Sequence, residues 1–279
     1  MDPGRPGFSA TPFTVDIISV SIYSNALPCL RAYDCTTAVL PAITALALAT
    51  QIILLGTGDP SALSRRAGPA TAIVVDGRAY LVDIGPGVVR RAAAAYEKGI
   101  PALAPANLTH AFVTQLHFEH TAGYPDLAFM PSLLGRTQPL EVYGPPGIRA
   151  LTEHVLAAWN GGVAVNAHEI TPGPVYRDDK IAVTAFSGGY RLQTADRRIV
   201  VASGGSQARI VVGQCNGCDV LIDEVQLETA RQLAELATRA RPELLVLQRK
   251  GAASEEQLGR TIGRLYDGRF VIGHDLDIY

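Results

Sequence analysis

The stretch that decides the fold runs from residue 113 to residue 123 and reads Val113-Thr114-Gln115-Leu116-His117-Phe118-Glu119-His120-Thr121-Ala122-Gly123. Its start predicts the end of a buried strand, and its last three residues predict a tight turn into a helix. Residues two apart on an extended segment point the same way, so we expect Gln115 and His117 to share a direction, with Glu119 and His120 following on the turn. Four polar groups gathered around one point would suit a metal site. The alternative is a strand-to-helix turn with two partly buried, hydrogen-bonded histidines.

This stretch resembles the metal-binding motif of the metallo-β-lactamase superfamily. That family carries His-x-His-x-Asp-His here, whereas this chain has Gln-x-His-x-Glu-His. His117 and His120 match the family pattern, Gln115 replaces its first histidine, and Glu119 replaces its aspartate. The resemblance implies an α/β fold of the four-layer αββα type, in which two mixed sheets pack face to face with helices outside. It also implies hydrolase ancestry.

The segments around the motif extend the resemblance over residues 51–279, which we predict to form one metallo-β-lactamase-like domain. An apolar strand at 51–55 ends in a glycine turn, Asp76-Gly77 predicts a hairpin between two further apolar runs, and a second turn follows from Asp83 to Gly87. This order, together with Val-Tyr-Gly-Pro-Pro-Gly at 142–147, resembles the ribonuclease Z-like and arylsulfatase-like branch.

The later part of the chain departs from the family's metal ligands. The family's histidine after Phe186 is missing, because Ser187-Gly188-Gly189 runs straight into the next strand. Gly205 stands where the family has a metal-bridging aspartate, and Gln248 stands where it has a histidine. A catalytic zinc ion usually needs three protein ligands. The resemblance therefore implies an eroded dinuclear site.

A single zinc ion per chain is the most that this ligand set predicts. Its candidate ligands are His117, His120 and Glu119, with His274 as a weaker candidate and Asp275, Asp223 or Glu224 as further groups that could complete the site. On this hypothesis Glu119 and His120 are the catalytic residues, acting on a water or hydroxide bound to the metal.

Three residues are predicted to support the site from behind the ligands, namely Asp83, Gln115 and Glu224. In the family the position of Asp83 often supports the histidine loop. The alternative for Asp83 is the N-cap of a helix that begins near Val88.

Three functions remain open from the sequence. The favoured hypothesis is a hydrolase homologue that is catalytically reduced or inactive as a two-metal enzyme, a pseudoenzyme. The first alternative is an active mononuclear zinc hydrolase of a small ester, sulfate or phosphodiester, and the second is a metal-free enzyme or binding protein that reuses the cleft. The fold hosts many chemistries, so it does not choose among them.

Composition bears on the partners. The 279 residues carry a formal net charge of −2 and 48% hydrophobic residues, with no long basic run and no insertion like the tRNA-binding arm of ribonuclease Z enzymes. Nucleic-acid binding depends on clustered Lys and Arg, so we predict a small-molecule partner and no nucleic-acid partner. No apolar run has the length of a membrane span.

Residues 1–49 are predicted to be an N-terminal extension. Its segment 38–49 resembles the apolar core of a signal peptide with a cleavage site at Ala47-Leu48-Ala49, displaced far from Met1. We predict an exported or periplasmic protein if this is a signal core, and a cytoplasmic one if it is a buried helix. Cys215 and Cys218 are either small packed residues or, after export, a local disulfide.

Overall fold

The computed structural model describes residues 49–58, 66–159, 162–204, 206–249 and 254–279. The predicted N-terminal extension up to residue 48, including nearly all of the signal-like segment, lies outside these ranges, and so does Gly205. The boundary of the extension and the export of the protein therefore stay predictions.

The strands are β1 (Gln51–Gly56), β2 (Ala70–Val75), β3 (Arg78–Val82), β4 (His110–Phe112), β5 (Leu140–Gly144), β6 (Val165–Glu169), β7 (Gly173–Arg177), β8 (Ala182–Phe186), β9 (Gly189–Gln193), β10 (Arg198–Ala202), β11 (Val220–Val225), β12 (Leu244–Arg249) and β13 (Phe270–Ile272). The helices are α1 (Val88–Glu97), α2 (Phe118–Thr121), α3 (Tyr124–Leu133), α4 (Ile148–Ala158), α5 (Ala208–Cys215), α6 (Ala230–Ala240) and α7 (Glu255–Gly263), with short 3-10 turns at Pro101–Leu103 and Pro105–Asn107.

Two sheets contain all of these strands. The first has the order β1-β2-β3-β4-β5-β6, antiparallel over its first three strands and parallel from β3 onward. The second has the order β13-β12-β11-β10-β9-β8-β7, antiparallel from β7 to β10 and parallel from β10 to β13. The predicted αββα architecture of two mixed sheets is confirmed.

Alternating side chains of the strands divide the apolar core into three layers. Side chains of both sheets, such as Ile52 and Val201, meet in the central layer. The outer faces of the two sheets pack against helices, with Leu81 among the residues below α1, α3 and α4, and Leu245 among those below α5, α6 and α7. Each strand has a period of two, so its inward and outward residues serve different layers.

One predicted helix face is wrong. The helical spacing of Leu127, Met130 and Leu134 predicts that they share one face of a helix near 124–134, but Leu127 is buried whereas Met130 and Leu134 are exposed. The buried residues of α3 are instead Tyr124, Leu127, Ala128 and Pro131. Tyr124 fixes this rotation, because its hydroxyl is 2.6 Å from Thr152 Oγ1 on α4 and the two buried groups satisfy each other.

Cys215 and Cys218 form a disulfide between the end of α5 and the start of β11, and both are fully buried. Of the two alternatives that the sequence left open for this pair, the structure contains the local disulfide. Within the described ranges, no helix combines the length and the apolar character needed to cross a bilayer.

The carboxyl ends of several parallel strands gather the residues that matter most for function. Asp83 follows β3, the stretch from 113 to 120 follows β4, and Glu224 lies near the end of β11. In open sheets of this kind, ligands bind beyond the carboxyl ends of parallel strands.

Candidate functional site

The histidine loop, residues 113–123, is held against the turn that follows β3. The amide of Ile84 donates to the carbonyl oxygen of His120 at 2.8 Å, and the amide of Gly123 donates to the carbonyl of Ile84 at 2.9 Å. A Cβ atom at Gly123 would lie 2.3 Å from the carbonyl oxygen of Gly85, so only glycine permits this approach. The Thr-Ala-Gly sequence after the motif therefore has a packing role.

Asp83 holds the buried face of the loop. Its Oδ1 accepts hydrogen bonds from the amide of Thr114 at 2.8 Å and from the hydroxyl of Thr114 at 2.9 Å. Its Oδ2 lies 2.9 Å from Nδ1 of His120, whose side chain is fully buried. A carboxylate accepts but does not donate, so Nδ1 of His120 carries a proton. Asp83 contacts the loop, while the N-cap of α1 is Gly87, without a side-chain cap.

The other nitrogen of His120 faces an amide. Nε2 lies 2.9 Å from Nε2 of Gln115. When the ring carries its single proton on Nδ1, Nε2 accepts an N–H from that amide. Both nitrogens of a fully buried histidine are thereby satisfied by protein groups.

Two glutamates stand around this contact. Glu224 Oε1 lies 3.4 Å from His120 Nε2, and Glu119 Oε1 lies 3.6 Å from the same atom. Glu224 is fixed from the other side, since its Oε2 accepts from the amide of Gly204 at 3.0 Å. Glu119 also lies 3.2 Å from Nδ1 of His117, and the His117 side chain is 56% exposed. The structure thus brings together four of the residues named from the sequence around His120 itself.

His274 is not brought to this cluster. It follows β13, its Nε2 is 3.0 Å from Glu255 Oε1, and its Nδ1 is 3.4 Å from Asp277 Oδ2. Asp275 is committed elsewhere as well, because it accepts from the amides of Thr57 and Ala67 and lies 3.1 Å from Arg91 Nε. Asp223 accepts from the amide of Glu224 at 2.9 Å, which turns its carboxylate back to its own strand.

Gln248 joins the two sheets. Its Nε2 donates to Thr71 Oγ1 on β2 at 3.1 Å, and both residues are buried. It lies on β12 and pairs with Glu224 of β11, and this strand register places it beside the site. At this position the amide makes a structural hydrogen bond between the sheets.

The donor set does not fit the two-zinc centre of the resembled family. Among the residues that the structure describes, no three His, Cys, Asp or Glu side chains are arranged to hold a metal ion. The physical reason lies at His120. Zinc–nitrogen bonds are about 2.0–2.1 Å long, and the Gln115 amide stands where an ion on Nε2 would have to lie.

Two cavities meet at Gln115. One, of about 430 Å³, runs from the start of the histidine loop to Pro145, Thr171, the turn between β8 and β9, and Tyr190. The other, of about 230 Å³, is lined besides Gln115 by Glu119, Gly204, Glu224, Val225, Gln226 and Thr229. The volume of the first is in the range of small-molecule sites.

Sequence reasoning missed the role of Gln115 and the wall of the larger cavity. Gln115 was interpreted as a lost ligand with a supporting place, but its amide is the nearest group to His120 Nε2. The Pro145–Pro146 turn and residues 170–172 were not singled out for binding. The feature that could have indicated them is their position in the chain, because each segment follows the carboxyl end of a strand of the first sheet.

Comparison with known proteins gives a consistent result, although no protein-family model matches the chain. A ribonuclease Z of Mycobacterium sp. (strain KMS) is 29% identical over 251 residues, covering 81% of this chain and 84% of that relative. A ribonuclease Z of Mycobacterium marinum is 33% identical over 158 residues, covering 50% of this chain and 54% of the relative.

Solved structures agree on the fold. The metallo-beta-lactamase fold protein YhfI from Bacillus subtilis has a TM-score of 0.67 at 16% identity, covering 82% of this chain and 98% of its own. Human tRNase Z, short form, has a TM-score of 0.65 at 21% identity, with the same coverage of 82% and 98%. Taken with the histidine loop and the two mixed sheets, these relatives make the chain a ribonuclease Z-like member of the metallo-β-lactamase superfamily.

Proposed function

We propose that this protein is a metallo-β-lactamase-fold hydrolase homologue in which a hydrogen-bonded network on His120 replaces the two-metal centre. The observation that carries the proposal is the 2.9 Å contact between the Gln115 amide nitrogen and His120 Nε2. The protein is then catalytically reduced or inactive as a two-metal enzyme, and what it retains is the cleft at the carboxyl ends of the strands.

The network is stable without an ion because its polar groups satisfy one another. His120 donates to Asp83 and accepts from Gln115, and Glu224 accepts from the amide of Gly204. A buried polar group without a partner costs about 1–3 kcal/mol, so such a closed set resists rearrangement. An ion at Nε2 would have to displace the amide and leave it to find another partner.

Metal content tests the proposal. We expect the full chain, purified without chelator, to hold well below two zinc ions by elemental analysis, and at most one on titration. Any bound zinc should need His117 and His120, so the double variant His117→Ala/His120→Ala should lose it. A matched control is His154→Ala, which removes an exposed histidine on α4. Two ions per chain that survive dialysis would overturn the proposal.

An active mononuclear zinc hydrolase is the second candidate. It is favoured by the two carboxylates at 3.4 Å and 3.6 Å from His120 Nε2, which would become ligands if the Gln115 amide turned away. One zinc ion together with turnover of an aryl ester, sulfate or phosphodiester, both lost in Glu119→Gln, would establish this function in place of the first.

The relatives are named ribonuclease Z, and we propose that this chain does not share an RNA substrate. None of the described residues that line the larger cavity beside the site is basic, and the chain has a formal net charge of −2. Phosphate-backbone binding depends on Lys and Arg. We expect no submicromolar tRNA complex at physiological salt in a filter-binding assay, and such a complex, weakened by added salt, would refute this.

We also propose that the protein is exported, with segment 38–49 as the signal core. The Cys215–Cys218 disulfide supports this, because disulfides persist mainly in oxidising compartments. N-terminal sequencing of the native protein should find a chain that begins at or near Thr50. An intact 2–49 segment in the cytosolic fraction would contradict export.

A further inference from the structure

The larger cavity beside Gln115 has a lining without charge. It measures about 430 Å³, and none of the described residues along its wall is Lys, Arg, His, Asp or Glu. The wall combines apolar groups such as Leu116, Ile170 and Phe186 with the side chains of Gln115, Thr171 and Ser187. Ligand sites of this size are commonly apolar with a few polar groups that fix orientation.

Several polar groups of the wall are already committed to the fold. The hydroxyl of Tyr190 donates to the carbonyl of Val113 at 2.7 Å, and the hydroxyl of Ser203 donates to the carbonyl of Gly188 at 3.0 Å. Gln115 differs from these, because only its amide nitrogen is used on His120, which leaves Oε1 to accept from a ligand. The cavity thus offers the Gln115 side-chain oxygen as an acceptor on an uncharged wall that is polar and apolar in similar measure.

The neighbouring cavity places negative charge beside the larger cavity. It shares Gln115 with the larger cavity and is lined by Glu119 and Glu224. An anion in the larger cavity would be repelled by these nearby carboxylates, and none of the described residues lining that cavity is a cation that could pair with it. A cation would lose its hydration against a wall without a carboxylate, and burying an unpaired charge of either sign is costly.

We propose that this cavity binds an uncharged small molecule with an apolar body and one amide-like donor, which Gln115 Oε1 accepts. The substrate or ligand class is therefore a neutral primary or secondary amide, whose N–H can donate to Gln115 Oε1, and not a phosphate or sulfate ester. This rests on the proposed function in one respect, namely that an amide and not a metal ion borders the cavity at Gln115.

Three probes of one shape and different charge test the proposal. Benzamide is neutral, benzoate is an anion and benzylamine is a cation at neutral pH. We expect calorimetric titration of the full, chelator-treated chain to show benzamide binding at least about tenfold tighter than either charged probe, a difference set by the cost of burying charge. Tighter or equal binding of benzoate or benzylamine would overturn the proposal, and so would no binding of benzamide.

Variants at the exposed rim locate the binding. Thr171→Trp and Ser187→Trp should each weaken benzamide binding at least about tenfold by filling the cavity, since both side chains are exposed and line it. Thr137→Trp, an exposed residue before β5 and far from its cavity end, is the matched control and should leave binding unchanged. Benzamide binding that is unaffected by both rim variants would place it elsewhere and refute the assignment.

Thr171→Arg tests whether the charge of the rim controls which probe binds. It places a cation on the rim, so benzoate should gain affinity relative to benzamide. A failure of the probe series leaves the zinc count untouched, whereas a zinc count of two is measured by elemental analysis independently of the probes and would remove the premise that an amide borders the cavity. The two failures can therefore be distinguished.

Discussion

His110 lies at the start of β4 and His120 on the short helix α2 that follows this strand, and the two histidines have different surroundings. His110 begins β4, with Nδ1 3.0 Å from Thr109 Oγ1 and Nε2 3.1 Å from the hydroxyl of Tyr176. His120 follows β4, with Asp83 on one nitrogen and Gln115 on the other. A cavity opens beside the second histidine, whereas aromatic rings pack around the first.

The cluster at His110 is charge-balanced and filled. Tyr80 and Tyr176 donate to Asp178 at 2.6 Å and 2.8 Å, and Arg78 pairs with the same carboxylate at 2.7 Å. Burial alone would raise the pKa of Asp178, but these hydrogen bonds and those from backbone amides outweigh it and hold the pKa well below its usual range. Such a cluster joins the two sheets.

This difference indicates that burial of a histidine in this fold does not by itself identify a functional site. At His110 the partners are hydroxyl groups and rings, so the histidine serves packing. At His120 the partners are carboxylates and an amide at a cavity mouth.

Replacing the carboxylate near each histidine, Asp83 near His120 or Asp178 near His110, should give the largest difference in stability between the two regions. Asp83→Ala removes the acceptor for the Thr114 amide, the Thr114 hydroxyl and His120, and we expect a loss of about 3 kcal/mol in the free energy of unfolding. Asp178→Ala should cost about half as much, because its side chain is 16% exposed and water can replace it. Urea unfolding measures both, and equal losses would contradict the contrast.

Gly123→Ala should break the support of the histidine loop. Its Cβ would lie 2.3 Å from a backbone oxygen, so we expect a loss of about 2 kcal/mol, in the range of overpacking substitutions. Gly213→Ala on α5 is the matched control. Nothing lies within 4 Å of its Cβ position, and a helical glycine replaced by alanine should gain about 0.5–1 kcal/mol. A stable Gly123→Ala variant would show that the loop has another support.

His110 should make stability depend on pH in a definite direction. Burial lowers its pKa below the ordinary value, although the charges of Asp178 and Glu141 oppose this and that of Arg78 adds to it. The folded state therefore resists protonation. The contribution of His110 to stability is full above the ordinary histidine pKa and is lost as the pH falls through that value toward the lowered one.

His110→Phe keeps a ring in the cluster and removes the titration. We expect the fall in unfolding free energy between pH 7.5 and pH 5 to be smaller in this variant than in the parent protein, as measured by urea unfolding at both pH values. His154→Phe, at an exposed site, should leave the pH dependence unchanged. An unaltered pH dependence in His110→Phe would show that other groups produce it.

The smallest expected effect is that of Gln115→His. The change restores the first histidine of the family motif, yet the histidine after Phe186 is still missing and Gln248 still bonds to Thr71. We expect a modest rise in zinc affinity on titration and no strong turnover of aryl ester, sulfate or phosphodiester substrates. Two tightly bound zinc ions with strong turnover would show that other side chains already supply the ligands.

The prediction of the fold succeeded because its signals are local. Apolar runs of strand length, the Asp76-Gly77 hairpin turn and the amphipathic pattern of α6 each depend on residues near one another in the chain. The helix-face error in α3 shows the limit, because its pattern was apolar on several sides and the contact of Tyr124 with Thr152 selected the rotation.

Residue type and order alone predicted the two-sheet architecture, the place of the histidine loop and the replacement of the family's ligand residues at Gln115 and Gln248. Which groups meet depends on the tertiary structure. β4 ends at Phe112, so the alternation expected of Gln115 and His117 no longer applies, and the turn aims the Gln115 amide at His120 while His117 faces solvent. Partners such as Asp83, Glu224 and the wall of the uncharged cavity come from strands far apart in the chain. Their meeting depends on sheet register and loop closure, which no local pattern encodes.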